Sequence, residues 1–201
     1  MLLKTFRGVI PGMCTNTYIV HDEVTKEGIM IDIVNNVDQI ASYIEENNIN
    51  LKYIVLTHCH ADHTVGLQDF KNQYPTAKIL IHEDDYDGLT NSKINQCEIV
   101  GVEPNFVSAD ITLKDNDEIT FGNLKAQIIH TPGHTKGSIS ILVEDALFSG
   151  DTLFKGTHGR TDLPTGSEND MESSLKRLLE LPDNTIVYPG HGFATMIMDE
   201  R

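Results

Sequence analysis

Three histidines and an aspartate fall within six residues of Thr57-His58-Cys59-His60-Ala61-Asp62-His63, directly after the apolar run Tyr53–Leu56. Imidazole and carboxylate together suit Zn(II), Fe(II) or Mn(II). In extended backbone, residues two apart point the same way, so His58 and His60 can grip one ion. Asp62 and His63 fall where the chain turns into a helix and can face a neighbouring position. Cys59 points away from its flanking histidines and is expected to pack. The arrangement recurs at Ile128-Ile129-His130-Thr131-Pro132-Gly133-His134, at Leu147-Phe148-Ser149-Gly150-Asp151 and at Ile186-Val187-Tyr188-Pro189-Gly190-His191-Gly192. Each is a short apolar run, a tight or Gly-containing turn, and then His or Asp. His58, His60, Asp62, His63, His134, Asp151 and His191 are too many for one tetrahedral ion. They are enough for two ions sharing one bridging carboxylate. The expected cofactor is two divalent metal ions per chain, zinc first, with iron or manganese also suited. Of the other histidines, His21 reads as a surface residue and His82 as structural. His130 divides between packing and positioning a ligand, and Cys14 has no evident base partner.

These residues need strand ends to carry them. Short β-branched or aromatic runs recur at Val9–Ile10, Tyr18–Val20, Ile29–Ile33, Tyr53–Leu56, Ile79–Ile81, Ile128–Ile129, Ile139–Val143 and Ile186–Tyr188. Ile40, Tyr43 and Ile44 share one face of a helix at about 37–48, stopped by Asn47-Asn48. Leu67 and Phe70 mark a second helix. Leu175, Leu178 and Leu179 mark a third at about 168–181, stopped by Pro182. Phe121-Gly122-Asn123-Leu124 reads as a hairpin turn. Residues 90–116 are the least periodic and read as a surface excursion, with a pocket wall or a dimer contact as its two uses. Most strands are too apolar for a one-sided sheet. Two packed sheets with helices outside would bury them, with a doubly wound sheet as the competitor.

The chain has 201 residues, which suits one domain over 1–201. With 15 basic and 30 acidic residues its formal charge is -15. That balance argues against nucleic-acid and anionic-membrane partners, which need a cationic surface. Three scattered cysteines make no disulfide framework and fit a reducing compartment. Charges interrupt the N-terminal Met1–Arg7 run, and no stretch approaches the roughly 20 apolar residues of a membrane span. The expected location is cytoplasmic.

Thr57-His58-Cys59-His60-Ala61-Asp62-His63 resembles the H-x-H-x-D-H signature of the metallo-β-lactamase fold. Thr131–Thr135, Ser149–Asp151 and Pro189–Gly192 match its later motifs in order, so the likeness covers essentially the whole chain. It implies an α/β (α+β) architecture: an αββα sandwich of two mixed sheets flanked by helices, with metals at one edge. By that likeness His58, His60 and His134 hold the first metal. Asp62, His63 and His191 hold the second, and Asp151 bridges. Asp32 matches an acidic position that orients a ligand. A metal-bridging hydroxide is then the nucleophile, and Asp62 helps to align it.

Within the fold, Asp151–Leu163 looks like the small glyoxalase II-like (hydroxyacylglutathione hydrolase-like) hydrolases and partly like persulfide dioxygenases. The acidic balance disfavours the nuclease branches. The flavodiiron branch has Glu in place of His60, and exported β-lactamases carry a signal peptide. Lys155 and Arg160 are candidates for a cationic rim that binds a substrate carboxylate, unless Asp162 pairs with Arg160. The tyrosine that glyoxalase II places two residues after that basic position is Asp162 here, and its C-terminal helical domain is missing. The leading reading is a dinuclear hydrolase of small thioesters or related esters, the substrate being an anionic thioester. The alternative is a mononuclear Fe(II) persulfide dioxygenase using His58, His134 and Asp151. A third reading is a metal-binding interaction module without catalysis.

Overall fold

A computed structural model describes residues 1–104 and 106–201. The first sheet runs β1 (Leu2–Ile10), β2 (Met13–His21), β3 (Glu27–Ile31), β4 (Asn50–Val55), β5 (Lys78–His82) and β6 (Ile111–Leu113), in that order. The first three strands are antiparallel; β3 to β6 are parallel. Parallel neighbours need crossovers. The helices α1 (Val37–Glu46) and α2 (Leu67–Gln73) supply two of them. The second sheet uses β7 (Glu118–Phe121), β8 (Leu124–His130), β9 (Ile139–Val143), β10 (Ala146–Gly150), β13 (Ile186–Pro189) and β14 (Thr195–Met196). Its order is β14-β13-β10-β9-β8-β7, with β10 and β13 parallel and the other pairs antiparallel. A small hairpin, β11 (Leu153–Phe154) and β12 (Thr157–His158), stands apart.

Alternation along the strands sorts the apolar side chains into three layers. Tyr18, Val20, Ile29, Ile31 and Val55 of the first sheet meet Phe121, Ala126, Ile128, Ile141 and Phe148 of the second. Ile19, Met30, Ile54 and Ile79 face outward under Ile40 and Ile44 of α1 and Leu67 and Phe70 of α2. Leu147 and Val187 face the other way, under Leu178 of α5 (Glu168–Leu178) and Ile197 of α6 (Ile197–Glu200). The result is the αββα sandwich with two mixed sheets. The doubly wound alternative is set aside, because the second sheet packs against the first through its own buried face.

Several boundaries follow from local chemistry. Asn47 caps α1, and Asn48 takes φ +54, a region Asn tolerates. Ser167 caps α5 by accepting from Asp170 N, with Glu168 and Asp170 in the first turn and Lys176 and Arg177 in the last. Phe121 pairs Leu124 across the expected two-residue turn. The 90–116 stretch is more ordered than its aperiodicity suggests. It holds α3 (Ser92–Asn95), α4 (Cys97–Val100) and β6; residue 105 lies outside the described residues. The helices have four residues each, too few to show a helical period. His21 corrects the surface reading: its ring is 1% exposed.

The topology explains the site. The parallel strands β3, β4 and β5 deliver their C-termini to one edge. In the second sheet β8, β10 and β13 also run alike and end at that edge. Ile139 N donates to Thr57 O and Asn16 N donates to Gly190 O, tying the two sheets together there. Among the described residues no helix is long and apolar enough to cross a membrane.

Candidate metal centre

Six chain segments converge on this edge. His58 and His60 follow β4, in the extended segment before a short 3-10 turn, Ala61–His63, that carries Asp62 and His63. His134 follows β8, Asp151 follows β10 and His191 follows β13. The structure brings all seven together in overlapping groups. His58, His60 and His134 form one, and Asp62, His63 and His191 another, each with donor atoms within 4.8 Å of one another. Asp151 stands between them. Its Oδ1 lies 3.3 Å from His63 Nε2, and its Oδ2 lies 3.5 Å from His134 Nε2 and 3.3 Å from His191 Nε2. Asp62 Oδ2 is 3.2 Å from His191 Nε2 and 3.4 Å from His63 Nε2. Gly190 makes this approach possible: a Cβ there would run into Asp151 Oδ1 and the His63 ring.

The outer nitrogens of four rings are committed to neighbours. His63 Nδ1 lies 2.7 Å from Asp32 Oδ2, His134 Nδ1 2.7 Å from Arg160 O, and His191 Nδ1 2.9 Å from Cys14 O. A carbonyl or carboxylate there accepts, so each ring donates through Nδ1 and turns Nε2 inward. His58 Nδ1 is 3.1 Å from Thr57 Oγ1, whose hydroxyl donates to Asp32 Oδ2. His60 is turned the other way, with Nδ1 facing His134 Nε2 at 2.8 Å.

Does this donor set fit cations? His58 Nε2 is a buried polar atom without a hydrogen-bond partner, and Asp151 Oδ1 has only His63 Nε2 beside it, at 3.3 Å. Burial pushes the His58 imidazole well below its ordinary value, and the neighbouring His63 adds to that. Burial, then His134, pushes His60 down to about 3. Both rings are therefore neutral with a lone pair free, the form a metal needs. The carboxylates behave oppositely. Burial opposes ionisation of Asp151, but His63 and His191 hold it well below the usual carboxylate range. Burial likewise works against charge on His63 and His191. Asp62, Asp151 and Asp32 outweigh it at His63, and Asp151 with Asp62 carries His191 up to about 10. In the free chain protons on these two rings supply the positive charge that the carboxylates demand. The residues fit two cations.

A scan against family models matches residues 11–191 to the description "Metallo-beta-lactamase superfamily". The chain belongs to the metallo-beta-lactamase superfamily. Among curated members of this superfamily, the chain is 34% identical to "Glyoxylase B2" of Dictyostelium discoideum, over 89% of this chain and 66% of that one. It thus spans just under two thirds of that relative's length. It is 30% identical to "Persulfide dioxygenase ETHE1, mitochondrial" of Homo sapiens, over 95% of this chain and 70% of that one. A B3 metallo-beta-lactamase structure, BLEG-1, superposes with a TM-score of 0.91 at 28% identity, covering 99% of this chain and 96% of that one. TTHA1623, solved in a di-iron-bound form, gives 0.82 at 27% identity, covering 97% and 96%.

Other sequence candidates fall differently. Asp32 is buried against His63 and Thr57. A cavity of about 460 Å³ opens onto the centre, with His60, Asp62, His134, Asp151 and His191 at its floor. Arg160 lines it, but its Nε and Nη2 donate to Asp162 at 2.7 and 2.8 Å. Lys155 is exposed on the β11–β12 turn and is not brought to the cavity; its neighbour Phe154 lines it instead. Gln96, Ile99 and Val100 line it too, so the 90–116 stretch supplies a wall. His130 lies outside the centre, its ring stacked on His82 at 3.9 Å. Cys59 is buried among the outer apolar residues of the first sheet.

Sequence reasoning missed Asp85. Its Oδ2 accepts from Cys59 N at 2.9 Å and from Thr135 Oγ1 at 2.7 Å, and its Oδ1 accepts from Gly137 N at 2.9 Å. Cys59 sits between His58 and His60, and Thr135 follows His134. One buried carboxylate thus grips both loops that carry the first histidine group. Gly137 permits the approach, because a Cβ there would lie 2.6 Å from Asp85 Cγ. The only trace in the sequence is an acidic run, Glu83-Asp84-Asp85, directly after a strand.

Proposed function

We propose that this chain is a dinuclear metal-dependent hydrolase of small thioesters or related esters, glyoxalase II-like in its chemistry. The observation that supports this best is the place of Asp151, whose carboxylate touches both groups: Oδ2 lies between His134 and His191, and Oδ1 beside His63. His58, His60 and His134 would hold one ion and Asp62, His63 and His191 the other, with Asp151 between; zinc fits the donor set. Two bound divalent cations supply a Lewis acid for the carbonyl and a hydroxide at neutral pH. The chain's own residues do the positioning. Asp32, Thr57, Arg160 O and Cys14 O fix four imidazoles so that their free nitrogens converge. Asp62, lining the cavity floor with Thr15 Oγ1 donating to it at 3.3 Å, aligns the attacking water. Water adds to the acyl carbon, the C–S or C–O bond breaks, and the departing thiolate or alkoxide takes a proton, giving an acid and a thiol or alcohol.

Elemental analysis of anaerobically purified protein, without added metal or chelator, is expected to give close to two metal ions per chain. That protein should hydrolyse members of a thioester panel. Asp151→Asn is expected to lower metal content and abolish turnover. Full activity with normal metal content in that variant would overturn the bridging role.

The likeness to the human persulfide dioxygenase favours a second reading. There His58, His134 and Asp151 would hold one Fe(II). One iron per chain and oxygen uptake with a persulfide would select it over the hydrolase.

A further inference from the structure

The cavity above the centre differs in chemistry from its floor. Its walls are Met13 at the start of β2, Ile99 and Val100 from α4, Phe154 from β11, and Leu163. Ile99 is 76% exposed, so its side chain is open to a ligand in the cavity, and it joins the other four in one apolar lining. The Phe154 ring stands edge-on to the His191 imidazole, 5.9 Å between centroids, so the apolar wall reaches the centre itself. Arg160 is the single Lys or Arg among the lining residues, and Asp162 occupies its guanidinium fork. A substrate anion would have to displace that carboxylate, which sits two residues away on the same chain. It would exchange one exposed, solvent-screened pair for another, with little net gain.

Resting on the hydrolase reading, we propose that the cavity selects an uncharged, apolar acyl chain, and that its substrates are neutral short-to-medium aliphatic acyl thioesters or esters. This replaces the anionic substrate expected from Lys155 and Arg160. The acyl carbonyl meets the floor, and the alkyl tail lies against Ile99, Val100, Phe154 and Leu163. Hydrolysis of such a thioester consumes one water, breaks the acyl C–S bond, forms a C–O bond and places a proton on the departing sulfur.

The test uses the metal-loaded full chain and S-acyl N-acetylcysteamines that differ only in the acyl group: acetyl, butanoyl, hexanoyl and succinyl. kcat/KM is expected to rise about fourfold per added CH2, the ratio that burial of about 0.8 kcal/mol per methylene gives. Succinyl should fall at least about tenfold below butanoyl, because its carboxylate is desolvated without a partner. A flat chain-length series, or succinyl equal to butanoyl, overturns the proposal. If no thioester turns over, the hydrolase reading fails, and binding still decides the cavity's preference. Calorimetry with the S-ethyl, S-butyl and S-carboxyethyl thioethers of N-acetylcysteamine should again favour the longer neutral chain. Equal or tighter binding of the carboxyethyl compound overturns the proposal. Ile99→Lys, at an exposed position where folding is undisturbed, is expected to flatten the series and narrow the butanoyl-to-succinyl gap. An unchanged series and gap in that variant would remove α4 from the specificity wall and overturn the assignment.

Discussion

Asp32 and Asp85 are both buried carboxylates placed just past the C-termini of parallel strands in the first sheet, β3 and β5, and each stands behind one part of the metal centre. Their partners differ. Asp32 touches a candidate ligand directly through His63 Nδ1, and reaches a second, His58, through the Thr57 hydroxyl. Asp85 touches none of the seven. It accepts from two backbone N–H groups and one hydroxyl that belong to the loops around His58, His60 and His134. The difference separates two ways of building a site. Asp32 sets the tautomer and basicity of an imidazole, which would tune an ion held there. Asp85 holds the backbone of the two loops that carry His58, His60 and His134. The first should act on metal affinity with modest effect on folding, and the second on both.

Removing Asp85 is expected to have the largest effect. Asp85→Ala leaves Cys59 N and Gly137 N buried without an acceptor, at about 1–3 kcal/mol each, and leaves Thr135 Oγ1 with Ser138 Oγ. With about 2–4 °C per kcal/mol for a chain of this size, the melting temperature of the metal-free protein should fall on the order of 10 °C. Metal content should fall with it. Asp85→Asn, which keeps an acceptor for part of the network, should recover some of both. If Asp85→Ala melts with the wild type, the loops are held by something else and the comparison breaks.

Asp32→Asn should act more narrowly. Its backbone lies at φ +56, which Asn tolerates and alanine does not, so the amide isolates the carboxylate from the backbone strain. The variant loses the charged acceptor at His63. Affinity for one of the two ions should drop about 10–100-fold, measured by competition with a chelator, while the other ion stays. Equal weakening of both ions would show that Asp32 acts through Thr57 and the loop, as Asp85 does, and the distinction between the two carboxylates would disappear.

The two carboxylates also differ in how far the chain announces them. The seven residues the structure brings together lie in compact segments, each an apolar run, a turn and then a polar donor. Strand ends carry that signature locally, so the sandwich edge and its contents were legible. Asp32 was reached through the family likeness, since it directly follows an apolar run. Asp85 was not, because its partners lie 26, 50 and 52 residues away, and two of them are backbone groups that carry no residue code. The same limit hid α4 as a helix, though a pocket wall was one of the two uses read for its stretch: Cys97–Val100 makes a single turn, below the length at which periodicity shows. Nine-residue strands at the N-terminus were read only at their apolar ends. Most of β1 faces solvent at the sheet edge, where polar residues such as Lys4 cost nothing.

A third carboxylate sharpens the contrast from outside the site. Asp22 lies at the opposite edge of the sandwich, just past β2, and like Asp85 it holds backbone. Its carboxylate accepts from Val24 N, Asn123 N and Asn123 Nδ2 at 2.6–2.8 Å, tying the β2–β3 turn to the β7–β8 turn of the other sheet. The Asn123 and Val24 amides hold it down to about 2, against an ordinary value near 3.8. A depressed folded-state value means that the unfolded chain takes up the proton first. The stabilisation is therefore complete above about pH 5 and drains away as pH falls from the ordinary value towards about 2. Urea midpoints measured from pH 6 to pH 2.5 should fall less steeply for Asp22→Asn than for the wild type, with the two curves meeting at the acid end. Metal content at neutral pH should be untouched. Loss of metal in Asp22→Asn would mean that loosening any backbone clamp empties the centre. Asp85 would then be one structural support among several rather than the one that shapes the site.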